Sequence, residues 1–188
     1  IRLSDGATIV TALSTDTRFT PPDTPVDDQP APAPYLMIVT ASGQVMRLSL
    51  SSFRLPSTKT GRRYCRLVDG DKVVHTELVE DADTMFLISR DARLIHFAVS
   101  DVPVLSGAGK GVRGIKLDAG DVLLGAQKMS RPSDTLKVIN DNDKAMSFGQ
   151  MKYTITSRGG KGVKVAHRST IKSIVRPELI LPDWGQVE

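Results

Sequence analysis

Gly107-Ala108-Gly109-Lys110-Gly111-Val112-Arg113-Gly114-Ile115-Lys116-Leu117 is the stretch on which the fold turns. Taken alone it imitates two nucleotide-binding motifs, because Gly109 to Gly114 has the G-x-G-x-x-G spacing and Gly109-Lys110 resembles the end of a phosphate loop. Its context removes both. A phosphate loop needs Ser or Thr after the lysine and a glycine five residues before its last one, and those places hold Gly111 and Val104. A dinucleotide site needs a helix after the glycines, whereas Ile115-Lys116-Leu117 alternates like a strand and enters the turn Asp118-Ala119-Gly120. Recurrence explains the stretch better. Lys59-Thr60-Gly61-Arg62-Arg63 lies before it and Gly159-Gly160-Lys161-Gly162 after it, with Gly61, Gly111 and Gly162 spaced by 50 and 51 residues.

Two further landmarks repeat in the same phase. Asp69-Gly70-Asp71 before Val73-Val74 returns as Ala119-Gly120-Asp121 before Val122-Leu123-Leu124, and Ser4-Asp5-Gly6 before Thr8-Ile9-Val10 is the same element earlier in the chain. The apolar runs Leu36-Met37-Ile38-Val39, Met85-Phe86-Leu87-Ile88 and Leu136-Lys137-Val138-Ile139 also correspond. Each is followed by a polar turn and an alternating segment, in which Met46 and Leu48, Ile95 and Phe97, and Met146 and Phe148 share positions. Alternation of period two is what a strand with one buried face requires. The reading is an all-β chain, residues 1–188 as one domain, with repeats at about 4–67, 68–117 and 118–176. Each repeat holds four strands, the size of a propeller blade, including a short strand such as 112–117 after the Gly-rich loop. Helical periodicity is confined to single turns near Ser51 to Phe53 and Ser100 to Val102.

Residues 20–34 break the period. Six of the eleven prolines fall here with Asp23, Asp27 and Asp28, so the stretch has little to bury and few backbone donors, and reads as a solvated insertion in the first repeat. The single cysteine, Cys65, excludes an intramolecular disulfide and any site needing two thiolates, and reads as a small core residue. His75, His96 and His167 lie far apart and show no metal-site spacing, so no metal or other cofactor is expected. No run is long and apolar enough for a membrane span and no secretory signal pattern opens the chain, so a soluble, cytoplasmic protein is expected.

Charge is unevenly spread. The chain carries a net +4, but residues 1–34 hold two basic and five acidic groups, which leaves +7 on the rest. Residues 44–66 contain Arg47, Arg54, Lys59, Arg62, Arg63 and Arg66 without an acid, and residues 144–176 hold eight Lys and Arg, again without one. Clustering of this kind makes a local field that attracts polyanions. Glycine loops that expose backbone donors beside lysines and arginines also suit phosphate oxygens. Catalytic patterns are missing: no nucleophile elbow, no Ser, His and acid set, no carboxylate cluster for magnesium. Asp5, Asp71 and Asp121 recur at strand starts, where a turn-capping role is expected.

The runs Arg62-Arg63-Tyr64, Gly111 to Leu117 and Ser157-Arg158-Gly159-Gly160-Lys161-Gly162-Val163, each tied to a Gly-Asp turn and an apolar strand, resemble repeats of the C-terminal domain of the A subunit of bacterial DNA gyrase and topoisomerase IV. The resemblance spans about Tyr35 to Arg176. It implies a β-pinwheel, a propeller-like disc whose blades exchange strands and whose basic perimeter binds and bends double-stranded DNA; three blades imply an open or truncated one. In that family, wrapping by gyrase depends on a Gln-Arg-Arg-Gly-Gly-Lys-Gly box in an early blade. Thr156 to Gly162 keeps five of its seven residues but lies in the last repeat, and Ser57 to Arg63 in the first repeat does not match. The resemblance therefore implies a topoisomerase IV-like or reduced gyrase-like domain that bends DNA. The family's cleaving tyrosine lies outside such a domain, so this part is expected to be non-catalytic. Its expected partners are DNA of any sequence, the remainder of the topoisomerase polypeptide and the ATPase subunit, with the fragment itself monomeric and the bacterial holoenzyme associated with the nucleoid.

The residues expected to contact phosphates are Lys59, Arg62, Arg63, Lys110, Arg113, Lys116, Arg158, Lys161 and Lys164. If six such contacts form, log affinity falls against log salt with a slope of about −5. The competing reading is a propeller that binds proteins, in which the loops only join blades and the charge serves solubility.

Overall fold

The computed structural model describes residues 6–14, 33–50, 53–55 and 61–176. The proline-rich insertion falls almost wholly outside them, as do Asp5 and Lys59. The strands run β1 (Tyr35–Thr40), β2 (Gln44–Ser49), β3 (Val73–Val79), β4 (Thr84–Ser89), β5 (Arg93–Ala98), β6 (Val104–Leu105), β7 (Val112–Arg113), β8 (Leu123–Met129), β9 (Thr135–Asn140), β10 (Ala145–Gly149), β11 (Val163–Lys164) and β12 (Ile171–Val175). A 3-10 turn, Val99–Asp101, follows β5 where one helical turn is expected.

Three sheets form around three antiparallel hairpins, β1–β2, β4–β5 and β9–β10. The first two hairpins are completed by the repeat that follows, and the third by the end of its own repeat. β3 pairs with β1, β8 with β4 and β12 with β9, all antiparallel. At the opposite edge β7 pairs with β2 and β11 with β5. β6 adds a parallel strand to β2, so the sheets hold five, four and three strands rather than a uniform four. The edge strands β3, β8 and β12 approach one another through β8, whereas β7 and β11 lie at the far edges. This places one set of edges toward a common centre and the Gly-rich loops at the periphery.

The cores lie between sheets. Met37, Val39 and Val45 of the first sheet meet Met85, Leu87, Ile95 and Phe97 of the second. Phe86, Ile88 and Leu94, on the second sheet's other face, meet Leu136, Val138 and Phe148 of the third. A sheet packed on both sides cannot keep one polar face. β1 and β4 are accordingly buried at every residue, whereas β9 alternates as the sequence suggests. Burying a phenylalanine such as Phe86 contributes roughly 1.5–3 kcal/mol, so the inter-sheet faces are where most of the stability resides.

The strand expected over 112–117 is shorter, ending at Arg113. Gly114 and Ile115 instead donate their N–H groups to the Gly43 carbonyl at 2.9 and 3.3 Å, and Ile115 is buried in the first inter-sheet core. Gly114 presses against Val45 and Leu87, where a Cβ would lie 2.6 and 2.8 Å from their side chains.

Candidate nucleic-acid interface

The Gly-rich loops at the periphery are stitched to the preceding sheet. Gly111 has φ +73, and a Cβ there would stand 2.3 Å from the Val45 carbonyl oxygen of β2. Gly162 has φ +64, with the Leu94 carbonyl oxygen of β5 at 2.2 Å from such a Cβ. Both conditions, a left-handed backbone and direct backbone contact, admit only glycine. The short strands β7 and β11 follow these glycines immediately.

Neighbouring loops are also joined to each other. The Arg66 N–H donates to the Gly109 carbonyl at 2.8 Å, and Cys65 bridges to Gly109 in parallel. Further along, the Gly159 N–H donates to the Gly114 carbonyl at 2.7 Å and the Lys116 N–H to the Gly160 carbonyl at 2.8 Å. Residues 61–66, 107–116 and 157–164 thus form one continuous belt across the three repeats. The sequence period predicts regular spacing of the loops; direct backbone contact between them has no sequence signal.

Along this belt the expected phosphate-contact residues divide into two groups. Arg62, Arg63, Lys110, Arg113, Lys116 and Lys164 have exposed side chains. No carboxylate among the described residues pairs with Lys110, Arg113, Lys116 or Lys164. Arg158 and Lys161 are engaged within the protein. The Arg158 guanidinium donates through Nε to the Asp101 carbonyl at 2.8 Å and through Nη1 to the Arg113 carbonyl at 3.2 Å. Lys161 Nζ bonds Asp118 Oδ1 at 2.7 Å, and Arg93 reaches the other oxygen at 3.3 Å. Lys161 and then Arg93 hold the exposed Asp118 carboxyl below its usual range. These two residues of the third repeat's box fasten the loop to its neighbour. Lys59 lies outside the described residues. Arg66, part of the acid-free basic run 44–66 but not among the expected phosphate contacts because it falls beyond the glycine cluster, is exposed on the same belt.

The recurring aspartates act at turns, as expected. Asp71 accepts from the Ser42 N–H at 2.9 Å, the Ser42 hydroxyl at 2.7 Å and the Lys72 N–H at 2.9 Å. Asp121 accepts from the Asp91 N–H at 3.0 Å and the Val122 N–H at 2.8 Å. At the third hairpin the roles reverse: Asp141 in the turn accepts from the Thr170 N–H and hydroxyl at 3.1 and 3.2 Å. Burial works to raise the Asp71 carboxyl, but its hydrogen bonds outweigh it and hold the group low.

A second recurring device is invisible in composition. Buried Arg47 in β2 donates from Nε to the Val102 carbonyl at 2.8 Å and pairs with Asp81. His96 occupies the corresponding place in β5. It donates from Nδ1 to the Tyr153 carbonyl at 2.6 Å, while Nε2 meets the Thr84 hydroxyl at 2.7 Å. Val102 and Tyr153 occupy matching places in the second and third repeats, upstream of the Gly-rich loops. Each buried side chain therefore anchors the following repeat's loop to its own sheet.

Burial first, and then the Asp71 charge, push the Cys65 thiol up, which disfavours a reactive thiolate. No cluster of three or more His, Cys, Asp or Glu suited to a metal occurs among the described residues. A cavity of about 540 Å³ lies where β3, β8 and β12 converge, lined by Val10, His75, Glu77, Gln127 and Arg176 among others, away from the belt.

A family model, that of the DNA gyrase C-terminal domain, beta-propeller, matches residues 34–80, 83–128 and 152–172. The DNA gyrase A subunit of Staphylococcus epidermidis (strain ATCC 12228 / FDA PCI 1200) is 30% identical over 142 residues, covering 75% of this chain and 16% of that protein. The DNA gyrase A subunit of Helicobacter pylori (strain J99 / ATCC 700824) is 32% identical over 129 residues, 68% of this chain and 16% of the relative. The chain thus spans about a sixth of the length of these relatives. Among solved structures, the C-terminal domain of DNA topoisomerase IV superposes with a TM-score of 0.65 at 20% identity, over 77% of this chain and 46% of that one. The DNA gyrase A C-terminal domain gives 0.62 at 23% identity, over 77% and 49%.

Proposed function

The chain belongs to the DNA gyrase C-terminal domain family, and we propose on that premise that it is the DNA-binding and DNA-bending part of the A subunit of a bacterial type IIA topoisomerase, non-catalytic by itself. One observation carries the reading: the three Gly-rich loops are hydrogen-bonded into one belt whose exposed cations, Lys110, Arg113, Lys116 and Lys164 with Arg62, Arg63 and Arg66, point away from the cores. A line of exposed cations contacts phosphates without reading bases, so binding is independent of sequence and steeply salt-dependent. Bending a duplex of 20–30 base pairs costs on the order of 1–6 kcal/mol, which one loop cannot offset and several acting together can.

The proposal extends to context. The domain works inside a cytoplasmic, nucleoid-associated holoenzyme with the remainder of its own polypeptide and with a separate ATPase subunit, and needs no cofactor of its own. Because Arg158 and Lys161 of the box-like segment are occupied by protein partners, bending is favoured over full chiral wrapping.

The test is the triple change Lys110→Glu, Arg113→Glu and Lys164→Glu, assayed by gel shift on duplexes of unrelated sequence at several salt concentrations. Affinity should fall for every duplex, and the slope of log affinity against log salt should become shallower by about 2.7, at about 0.9 per lost phosphate contact. Unchanged affinity and slope would reject the belt and leave a propeller that binds proteins.

A further inference from the structure

The two faces of each sheet differ in what they meet, and the third sheet departs from the other two at matching positions. Met37 in β1 and Phe86 in β4 point toward the following sheet and are fully buried there. Lys137 in β9 holds their place and is exposed. In the second strand of each hairpin, Val45 and Leu94 supply the carbonyls that receive Gly111 and Gly162. Ala145 holds that place in β10 and is exposed. Arg47 and His96, which fix the carbonyls of the following repeat, correspond to Ser147, also exposed. Ile139 keeps the apolar type of Val39 and Ile88 but is only half-buried where those two are fully buried.

Apart from Ile139, the residues by which one sheet receives the next are therefore replaced in the third. We infer that the third sheet is a terminal cap: its outer face, centred on Lys137 with Ser147 and the exposed Val175 beside it and Ala145 and Ser173 next along, meets solvent, and no further blade stacks on it. Arrays of repeats need such a face at an end, since an unsatisfied apolar one would drive association. The opposite end is of the other kind. The first sheet's other face is apolar and already covered within the chain: Leu36, Ile38, Met46 and Leu48 are buried against Phe53, Cys65, Val73 and Leu105, beside a cavity of about 520 Å³ lined by Ile9, Leu13, Phe53 and Tyr64. The two end faces of the described array thus differ in composition.

Amine acylation followed by mass spectrometry tests this on the full-length protein without DNA. Lys137 should label at a rate similar to Lys144, which is exposed in the adjoining turn; strong protection of Lys137 would overturn the cap. A second arm uses Lys137→Phe with Ser147→Val. The unaltered chain should sediment as a monomer and the double variant should self-associate, its new apolar face meeting the same face on another copy. A double variant that folds and stays monomeric would also overturn the inference. Neither readout involves DNA, so loss of the belt's proposed role would leave it standing, and its own failure would leave the belt intact.

Discussion

His96 is a buried imidazole with both nitrogens occupied, held between the Tyr153 carbonyl and the Thr84 hydroxyl. Burial lowers its pKa from the ordinary 6.5, and the Tyr153 carbonyl opposes this only in part. The ring is consequently neutral in the folded chain, with the proton on Nδ1. On acidification the unfolded chain takes up the proton first, at about 6.5, so the folded state loses stability as pH falls from there toward the lowered folded value. The thermal midpoint should drop between pH 7 and pH 5.5, and His96→Phe should flatten that part of the profile while lowering stability at pH 7 by about 1–3 kcal/mol through the Tyr153 and Thr84 groups left unpaired. A profile as steep in the variant as in the parent would place the titration elsewhere.

The Gly-rich loops are the elements that distinguish a structural glycine from a merely recurrent one. Gly61, Gly111 and Gly162 all have positive φ, yet among described residues nothing lies within 4 Å of a Cβ on Gly61. Gly61→Ala should therefore cost only the left-handed penalty of about 1–2 kcal/mol. Gly111→Ala adds a collision with the β2 backbone and should cost clearly more, read as a larger fall in the urea midpoint. Equal costs would mean that the loop does not rest on β2 as described.

The same elements show what the sequence discloses. Period, strand positions, turn aspartates and the basic character of the loops are legible, because each depends on residues close together in the chain. Strand exchange is not, because the donor β8 carries no mark saying whether it pairs with β4 or with β9. The partner of Lys161, Asp118, is 43 residues away, and Arg158 is satisfied by backbone carbonyls that any residue could supply. Lys137 is visible as an interruption of an apolar run, but its meaning needs the structure, since only the stacked sheets show what its counterparts touch.

At the scale of the molecule, the first two sheets borrow strands from the next repeat, so neither of the first two repeats is a self-contained folding unit. Removing residues after 117 would strip β8 and β11 from the second sheet as well as deleting the third. Denaturation of the chain should accordingly be a single cooperative transition, coincident by circular dichroism and by the fluorescence of probes attached at Cys65 and at an introduced cysteine replacing Met151, which is 95% exposed. Separated transitions at the two probes would show that the sheets unfold independently.

A bent duplex is a spring, and it pulls outward on whatever holds it. Each Gly-rich loop in the belt would feel that tension directly, and a loop hanging free between strands would yield. Here the second loop is tied back to β2 and the Gly43 carbonyl, forward to residues 159 and 160, and sideways to residue 66. Peeling it away means breaking several backbone hydrogen bonds in two sheets at once. On the proposed function, the strain of a curved duplex would thus be shared over the whole arc, and the curve would be kept without any one loop having to be rigid.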